Sequence, residues 1–442
     1  MDPITIGLLG IAIFLLLIFL GMNIGLALLI TGFAGYAVMV TPAAAMAQMR
    51  TDPVTQATTY SMMVMPLFIL MGNLAFEAGM SKGLYDFSNK WLNWLPGSLS
   101  CATIVACAGF GAICGSNAAT CATMGTVSLP EMRKHGYSDR LSTGAIAIGG
   151  TLGMLIPPST PMILYCIMTN ASIGQQFMAG VLPGVLLAAL CVITVVLMVT
   201  VNPSLAPKGG KYTWKERFAS LTGIIPVVLL FGIVLGGMFG GFFSVNQSSA
   251  VGCFLAFIIM IAMMIIRGEF TVKAAWEKTK RAVWTTIHTF GMTYLIIIGA
   301  SLFCKFLAIT RLPMTMADAI ASMNVSKYVI IALMTFVYLI LGMIMDELPM
   351  IMLTVPIFWP IVDALGFHVL WFGIYIILVM ALGAIAPPVG LNCFIISGIA
   401  KDIPLGTIYR GAIPYVITIV LCIAILTVWP GIVTILPEMM MT

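Results

Sequence analysis

The fold is decided by two matching stretches, LGMLIPP at 152–158 and LGAIAPP at 382–388, which lie 230 positions apart. A proline has no N–H, so the carbonyl four residues before it loses its helical hydrogen bond and the helix breaks. The carbonyls freed in this way belong to residues 153 and 154 in the first stretch and to residues 383 and 384 in the second. In apolar surroundings such carbonyls need a replacement partner. A dehydrated Na⁺ is one candidate, and a kinked helix satisfied by neighbouring groups or water is the alternative.

The composition is that of a membrane protein. Of 442 residues, 61% are hydrophobic and 8% are charged, whereas a soluble domain carries about 25% charged residues. No water-soluble packing hides so much apolar surface, which excludes a soluble enzyme, a nucleic-acid binder and a disordered scaffold. We therefore predict an all-α polytopic membrane protein. The apolar stretch that begins at Ile4 has no basic segment before it, so it is predicted to be a membrane span rather than a signal peptide.

Apolar stretches of two kinds follow one another along the chain. Continuous stretches, each near the length of about 20 residues that a spanning helix needs, lie at 4–22, 24–41, 61–79, 174–202, 217–239, 246–267, 284–308, 325–345 and 405–430. Interrupted stretches lie at 98–129 and 325–364, which are broken near the middle, and at 141–171 and 367–400, which are broken by the Pro-Pro pairs. Function is expected in the interrupted stretches, because irregular backbone inside a membrane lines a cavity or a site.

An internal repeat extends beyond the Pro-Pro stretches. Residues 110–111 align with 341–342, Pro130 aligns with Pro360, and residues 72 and 76 align with 299 and 303. Each half thus contains a span, an interrupted hairpin and a broken helix, and the residues leave open whether the halves are inverted. Corresponding broken segments in two halves are typical of a transporter binding site. The predicted organisation is scaffold spans at 1–60, a first repeat core at 61–173, scaffold spans with basic loops at 174–283, a second repeat core at 284–402 and a C-terminal scaffold span at 403–442.

The first interrupted hairpin contains the sequence GFGAICGSNAAT at 109–120. Ser116 or Asn117 is a typical N-cap residue and predicts a helix that starts at Ala118. The positive end of that helix then lies inside the membrane, where it suits an anionic substrate group, while the hydroxyl and amide oxygens suit a cation. The alternative is a seam of small residues that serves only close packing.

The tip of the second hairpin carries two adjacent carboxyl groups, Asp346 and Glu347, in a largely apolar stretch. Ionisable groups inside a membrane are costly and mark functional sites by default. Asp346 is predicted to cap the helix that Pro349 helps to start, and its charge favours a cation. The alternative is a pair of loop acids that lies in water. Asn392, four residues after Pro388, is a further polar group near the second break.

Basic residues cluster at 131–140, 208–217 and 267–281. By the positive-inside rule the last two loops are cytoplasmic, and both termini, which lack nearby basic residues, are outside. Residues 268–283 are predicted to form an amphipathic helix on the inner membrane surface, with a solvated basic loop as the alternative. Lys305 and Arg311 either neutralise an anionic substrate or extend to the membrane interface.

Motifs of ATPases and common hydrolases are missing from the sequence. It has no GxxxxGKS/T loop, no HExxH and no GxSxG. We therefore predict a protein that is not an enzyme.

Three stretches carry a resemblance to a known family: 110–120 with SLPEM at 128–132, GGTLGMLIPPS at 149–159, and GAIAPPVGLN at 383–392. They resemble the large membrane subunit of the tripartite ATP-independent periplasmic (TRAP) transporters, the DctM-like family. The resemblance implies two inverted structural repeats, each with a re-entrant helical hairpin and a Pro-Pro-broken helix, in an elevator-type transporter. It also implies Na⁺-coupled import of a small carboxylate, such as a C4-dicarboxylate, another organic acid or a sialic acid.

The resemblance further implies partners and site residues. The partners are a periplasmic solute-binding protein and a small four-span membrane subunit, expected as a separate chain, in the bacterial inner membrane with both termini periplasmic. No cofactor is implied, and Na⁺ is the coupling ion. The implied Na⁺-binding residues lie between each tip and its break: Ser116, Asn117, Gly153, Ile156 and Pro158, and then Asp346, Gly383, Ala386 and Pro388. The predicted substrate-binding residues are Gly115, Ser116, Thr120, Ser159 and Asn392.

Rival functions differ in what they require. A one-component Na⁺/carboxylate or tricarboxylate carrier of similar architecture would need no binding protein. An intramembrane enzyme acting on lipid-borne substrates would need a polar constellation beyond the hairpin tips. A channel is disfavoured by matched broken helices that indicate an alternating-access site.

Overall fold

Helices make up the regular structure of the computed structural model, which describes residues 2–207, 209–210, 212–322 and 325–439. The α-helices are α1 (Pro3–Phe19), α2 (Ile24–Met39), α3 (Pro42–Thr58), α4 (Val64–Glu77), α5 (Met80–Leu92), α6 (Ser98–Cys114), α7 (Asn117–Lys134), α8 (Asp139–Leu155), α9 (Thr160–Thr169), α10 (Ile173–Val201), α11 (Trp214–Phe239), α12 (Val245–Ile266), α13 (Val272–Thr310), α14 (Leu312–Ser322), α15 (Lys327–Ile344), α16 (Glu347–Ala364), α17 (Val369–Ile385), α18 (Leu391–Ile399), α19 (Leu405–Val428) and α20 (Gly431–Met439). Short 3₁₀ turns cover Tyr60–Met63 and Pro203–Leu205.

Membrane spans are numerous, as the composition predicts. Within the described ranges, seven helices are long and apolar enough to cross a membrane, or eight if the bent pair α8 and α9 is one span. The predicted spans at 4–22 and 24–41 coincide with α1 and α2, which are apolar but have only 17 and 16 residues. The all-α, multi-pass class is therefore confirmed.

Each predicted interruption falls between two helices. The hairpin at 98–129 is α6 and α7, joined at Gly115, whose φ of +63° is one that glycine adopts without strain. The hairpin at 325–364 is α15 and α16. The segments at 141–171 and 367–400 are the pairs α8–α9 and α17–α18, and each Pro-Pro bond between them is cis.

The two helices that precede the breaks form the centre of the protein. In α8 every residue from Leu141 to Leu155 is buried, and in α17 every residue from Leu370 to Ile385 is buried. A helix that is apolar all round is stable only when neighbours cover every face. The two helices contact each other and are covered by the hairpins and by α10 and α19. The breaks are thereby fixed inside the fold rather than at its edge.

One prediction for the basic loop is wrong. Residues 268–283 do not form a separate surface helix, because α13 begins at Val272 and continues for 39 residues to Thr310. Thr271 caps its start by accepting a hydrogen bond from the N–H of Ala274 at 3.1 Å. The stretch contains no proline, so nothing in the backbone ends the helix where the composition changes from basic to apolar.

Helix α3 was not predicted from the sequence. Its Asp52 is buried and pairs with Lys305 of α13, whose Nζ lies 2.5 Å from Asp52 Oδ1 and 2.6 Å from Gln48 Oε1. Ser301 Oγ also donates to Asp52 Oδ2 at 3.2 Å. Lys305 therefore neutralises a carboxylate of the protein itself in this structure, which differs from both roles expected for it.

Candidate functional site

The first hairpin and the first break meet at a crossing of two glycines. A Cβ added to Gly111 of α6 would lie 2.4 Å from the Cα of Gly153 in α8, so only glycines allow this approach. The tip also contacts the break itself, because the N–H of Thr160 donates to the Gly115 carbonyl at 3.2 Å. The first hairpin tip and the first Pro-Pro break, which were predicted to form one site, are therefore adjacent.

Oxygen atoms surround Gly153 at this junction. Ser116 is the N-cap of α7, which starts at Asn117, and its Oγ accepts from the N–H of Ala119 at 3.5 Å. Thr120 Oγ donates to the Ser116 carbonyl at 2.7 Å. Both the Thr120 hydroxyl and the Ser116 carbonyl lie beside Gly153, at 2.6 Å and 3.0 Å from the position of an added Cβ. The tip therefore brings a hydroxyl and a carbonyl to the broken helix.

The two carbonyls freed by the first Pro-Pro pair have different surroundings. Ser159 Oγ donates to the Met154 carbonyl at 2.6 Å and so replaces its lost helical bond. Among the described residues, no donor reaches the Gly153 carbonyl. Ile156, also predicted for this site, has its side chain directed at Gly184 of α10. The first junction therefore offers the Gly153, Ser116 and Thr120 oxygens rather than those of Met154.

The second junction repeats the glycine crossing. A Cβ on Gly342 of α15 would lie 3.0 Å from the Cα of Gly383 in α17, and a Cβ on Gly383 would lie 2.6 Å from the Cα of Gly342. Asp346 is the N-cap of α16, as predicted, and its Oδ1 accepts from the N–H of Glu347 at 2.8 Å. The two halves therefore share the same close approach of hairpin and broken helix.

The second break is more open than the first. Pro387 and Pro388 are exposed, whereas Pro157 and Pro158 are buried. Tyr409 OH donates to the Pro388 carbonyl at 2.5 Å and to the Val389 carbonyl at 2.7 Å. The Gly383 carbonyl accepts from the N–H of Ala386 at 3.3 Å. Several oxygens predicted for the second Na⁺ site thus have protein partners in this structure.

Asp346 lies on a small cavity of about 10 Å³, the order of space that one water molecule fills. The walls include the carboxyl-bearing Glu347, Asn117 of the first tip, and Gly342 and Ala384 of the second half. Neither Ala386 nor Pro388 lines this cavity. Asp346 therefore shares this cavity with Asn117 of the first tip and with Ala384. It does not share it with the other residues predicted for the second Na⁺ site.

Asn392 links the two halves instead of facing open space. Its Nδ2 donates to Asn117 Oδ1 at 2.7 Å and to the Ala147 carbonyl at 2.6 Å. Both asparagine side chains are buried, and Oδ1 of Asn392 has no partner among the described residues. Asn392, predicted to bind substrate, and Asn117, predicted to bind Na⁺, therefore hold the first tip against α18 in this structure.

Glu347 and Tyr409 were not assigned roles from the sequence. Glu347 Oε2 is buried and has no hydrogen-bond partner among the described residues, which is costly unless a ligand or proton satisfies it. Its signal, two adjacent carboxyls in an apolar stretch, was present in the sequence, but only Asp346 was assigned. Tyr409 lies far along the chain from the carbonyls it satisfies, and no sequence pattern indicates that contact.

A large cavity of about 740 Å³ opens beside the first tip. Its walls come from α4, the two hairpin helices and the basic half of α13, and include Asn73, Phe110, Thr123 and Lys280. At its edge Arg281 donates from Nε and Nη2 to the two carboxylate oxygens of Glu77 at 3.0 and 2.8 Å. A cavity of this size holds a small organic molecule.

Comparison with known proteins identifies the family. The model of the family "Tripartite ATP-independent periplasmic transporter, DctM component" matches residues 11–432. The chain is 31% identical over 380 residues to the C4-dicarboxylate TRAP transporter large permease protein DctM of Pseudomonas aeruginosa, with 86% of each chain covered. It is 28% identical over 381 residues to the sialic acid TRAP transporter large permease protein SiaM of Vibrio cholerae, covering 86% of this chain and 87% of that one.

A solved structure supports the fold. The YdaH transporter of Alcanivorax borkumensis superimposes with a TM-score of 0.59 at 16% sequence identity, over 88% of this chain and 89% of that one. These relatives are named as transporters or permeases. The chain therefore belongs to the DctM family of TRAP secondary transporters, and it is a multi-pass membrane transport protein rather than an enzyme.

Proposed function

We propose that this TRAP permease imports a small carboxylate in symport with Na⁺ by an elevator mechanism. The observation that carries the proposal is the pair of glycine crossings, Gly111 with Gly153 and Gly342 with Gly383, at which each hairpin lies against a broken helix. Each crossing lies beside a helix N-terminus, capped by the half-buried Ser116 or by the exposed Asp346. Helix starts and unpaired carbonyls at membrane depth are the groups with which transporters bind anions and cations.

The first Na⁺ site would use neutral oxygens. The Gly153 carbonyl has no helical donor, because Pro157, four residues later, has no N–H. The Ser116 carbonyl and the Thr120 hydroxyl lie beside Gly153. Ser116 Oγ, Asn117, Ile156 and Pro158 complete the proposed set. The Pro158 carbonyl already lies at the tip, 2.6 Å from the position of a Cβ added to Gly115, whereas Asn117 Oδ1 would have to leave Asn392 Nδ2. Na⁺ is a hard cation that takes oxygen ligands, so it would replace the missing hydrogen bond in apolar surroundings.

The second site would be charged. Asp346 lies against a cavity of single-ion size, about 10 Å³, and a carboxylate at membrane depth is stabilised by a cation. The carbonyls of Gly383, Ala386 and Pro388 are the further proposed ligands. Tyr409 donates to the Pro388 carbonyl, which leaves the second lone pair of that oxygen for Na⁺.

The substrate would lie in the cavity of about 740 Å³ beside the first tip. The predicted substrate-binding residues do not line this cavity: Gly115, Ser116, Thr120, Ser159 and Asn392. Contact between a substrate carboxylate and the positive end of α7 would therefore require the first tip to move toward the cavity. The volume accommodates a molecule the size of a C4-dicarboxylate or a sialic acid. The related permeases named for those two substrates support the carboxylate class.

The partners and the orientation follow the family. We propose a periplasmic solute-binding protein that delivers the substrate and a small four-span membrane subunit that accompanies this chain in the bacterial inner membrane. The basic segments at 208–217 and 267–281 would face the cytoplasm, and both termini the periplasm. The cavity beside the first tip then opens near the basic half of α13, toward the cytoplasm.

The experiment is uptake into proteoliposomes that contain the chain, its small subunit and the binding protein loaded with a radiolabelled C4-dicarboxylate or sialic acid. Uptake should require an inward Na⁺ gradient and should stop when the binding protein is omitted. Indifference to the Na⁺ gradient would remove the coupling proposal. Full uptake without the binding protein would instead identify a one-component carrier.

A further inference from the structure

A second large cavity, distant from the hairpin tips, lies at the basic end of the helices. Its volume is about 920 Å³. The walls come from the corner between α5 and α6, the end of α10, the described residues of the connection between α10 and α11, and the start of α11. They include Asn93, Trp94, Thr200, Gly210 and Arg217. The proposed Na⁺ and substrate sites use none of these residues.

Arg217 is the charged group on the described walls of this cavity. Its Nη2 donates to Asn93 Oδ1 at 2.9 Å, and its guanidinium lies 4.9 Å from the centre of the Trp214 ring. Its Nε is buried without a partner among the described residues. The guanidinium is therefore held in place on the cavity wall with its Nε donor unused, and its fixed positive charge suits a phosphate group.

The nearby carboxylate does not compete for this arginine. Glu216 Oε2 accepts from the N–H and hydroxyl of Thr213 at 2.7 and 2.8 Å, which forms the capping box of α11, and Glu216 does not line the cavity. The described start of α11 carries two basic residues, Lys215 and Arg217, against this one carboxylate. Its net charge is therefore positive and favours an anion.

Aromatic side chains place the cavity at the depth of lipid headgroups. Trp94 and Trp214 are 71% and 65% exposed at helix ends on the same basic side, and Tyr212 lines the cavity and accepts a hydrogen bond from Asn89. Exposed tryptophan and tyrosine at helix ends mark the membrane interface. The other walls, which include Leu95, Pro96 and Val199, are apolar and suit the glycerol and upper acyl part of a lipid.

We propose that this cavity binds an anionic glycerophospholipid of the inner leaflet, with the headgroup phosphate on Arg217. Basic pockets between membrane helices on the cytoplasmic side recognise such headgroups. The cavity lies between the predicted first repeat core and the connecting spans, since α5 and α6 contribute to one side and α10 and α11 to the other. A lipid bound there joins the two parts, and the anionic lipid content of the membrane then affects the transport rate.

The test measures lipid retention by native mass spectrometry on the full-length chain purified in mild detergent, with phosphatidylglycerol or phosphatidylcholine added. Wild type should retain phosphatidylglycerol in preference to phosphatidylcholine, and Arg217→Ala should bind it at least about tenfold more weakly. Lys215→Ala is the matched control, because it removes the same charge beside the cavity from a residue that does not line it. It should retain the lipid.

Gly210→Asp is a second variant that does not depend on the contacts of Arg217. Gly210 lines the cavity and a Cβ there meets no atom within 4 Å, so an aspartate fits without a clash and its negative charge at the cavity wall should repel the phosphate. Retention by both Arg217→Ala and Gly210→Asp, or equal loss in Lys215→Ala, would overturn the proposal. Displacement of the lipid by millimolar inorganic phosphate would identify a free-phosphate site and would also overturn it.

Discussion

Alanine at Gly111 is the sharpest perturbation of the proposed site. The added Cβ would lie 2.4 Å from the Cα of Gly153, whereas ordinary contacts begin at 3.4 Å. The obstructing atom is backbone and cannot rotate away, so α6 and α8 must separate by about 1 Å. Overpacking of this kind costs about 1–3 kcal/mol. Ion sites tolerate ligand displacements of only about 0.2 Å, so the first Na⁺ site should lose most of its affinity.

The assay is the Na⁺ dependence of uptake in proteoliposomes, together with the melting temperature in detergent. We expect the half-saturating Na⁺ concentration to rise about tenfold, since 1.4 kcal/mol corresponds to a factor of ten. Gly109→Ala is the control on the same helix, because its Cβ meets the flexible end of Leu84 at 2.9 Å. Gly342→Ala should have a smaller effect than Gly111→Ala, because its closest approach is 3.0 Å. Unchanged Na⁺ dependence and melting temperature in Gly111→Ala would refute the reasoning.

Three further predictions concern polar groups that hold the hairpins and breaks. Asn392→Ala should lower the melting temperature, because it leaves Asn117 Oδ1 buried without its donor, at about 1–3 kcal/mol, whereas the Ala147 carbonyl stays within α8. Asn117→Ala in that background should add less than it does alone, and full additivity would argue against the link. Asp346→Asn should preserve the melting temperature, because an amide oxygen still caps α16, but should abolish the proposed Na⁺ dependence of uptake; normal dependence would exclude Asp346 as a ligand. Arg133 donates to Asp402 at 2.7 Å and holds the pKa of that carboxyl below its usual range. The resulting stabilisation is present above the unfolded pKa of about 4 and is lost as the pH falls through the folded value, so the melting curves of wild type and Asp402→Asn should differ slightly at pH 7 and converge in acid.

Local backbone chemistry made the interruptions predictable. Two consecutive prolines remove two N–H donors in succession, and the structure ends α8 at Leu155 and α17 at Ile385, just before the two Pro-Pro pairs. Single prolines such as Pro130 and Pro183 lie inside continuous helices. The helix caps at Ser116 and Asp346 could also be predicted from the sequence, because an N-cap depends on residues one to three positions away. The division into scaffold and repeat cores and the ion-binding roles stay predictions.

Contacts between distant parts of the chain were not predictable in the same way. Asn117 and Asn392 are 275 positions apart, and Asp52 and Lys305 are 253 apart. A single sequence holds no signal for such pairs, so the asparagine link and the tyrosine at the second break were missed. The misplaced surface helix has a different origin. Polarity suggested a boundary near residue 283, but a helix ends at a breaker or cap and not at a change of polarity.

The length of α13 has a consequence for how a solute would leave the protein. Its 39 residues rise about 58 Å, while the hydrocarbon layer is about 30 Å thick. Even at a tilt of 40°, about 20 Å of this rod would project beyond the acyl chains. The projecting end carries Lys273, Lys278, Lys280 and Arg281 and continues one wall of the cavity beside the first tip. A departing anion would therefore travel along a charged protein surface before it reached bulk water, shielded on that side from the negative lipid headgroups.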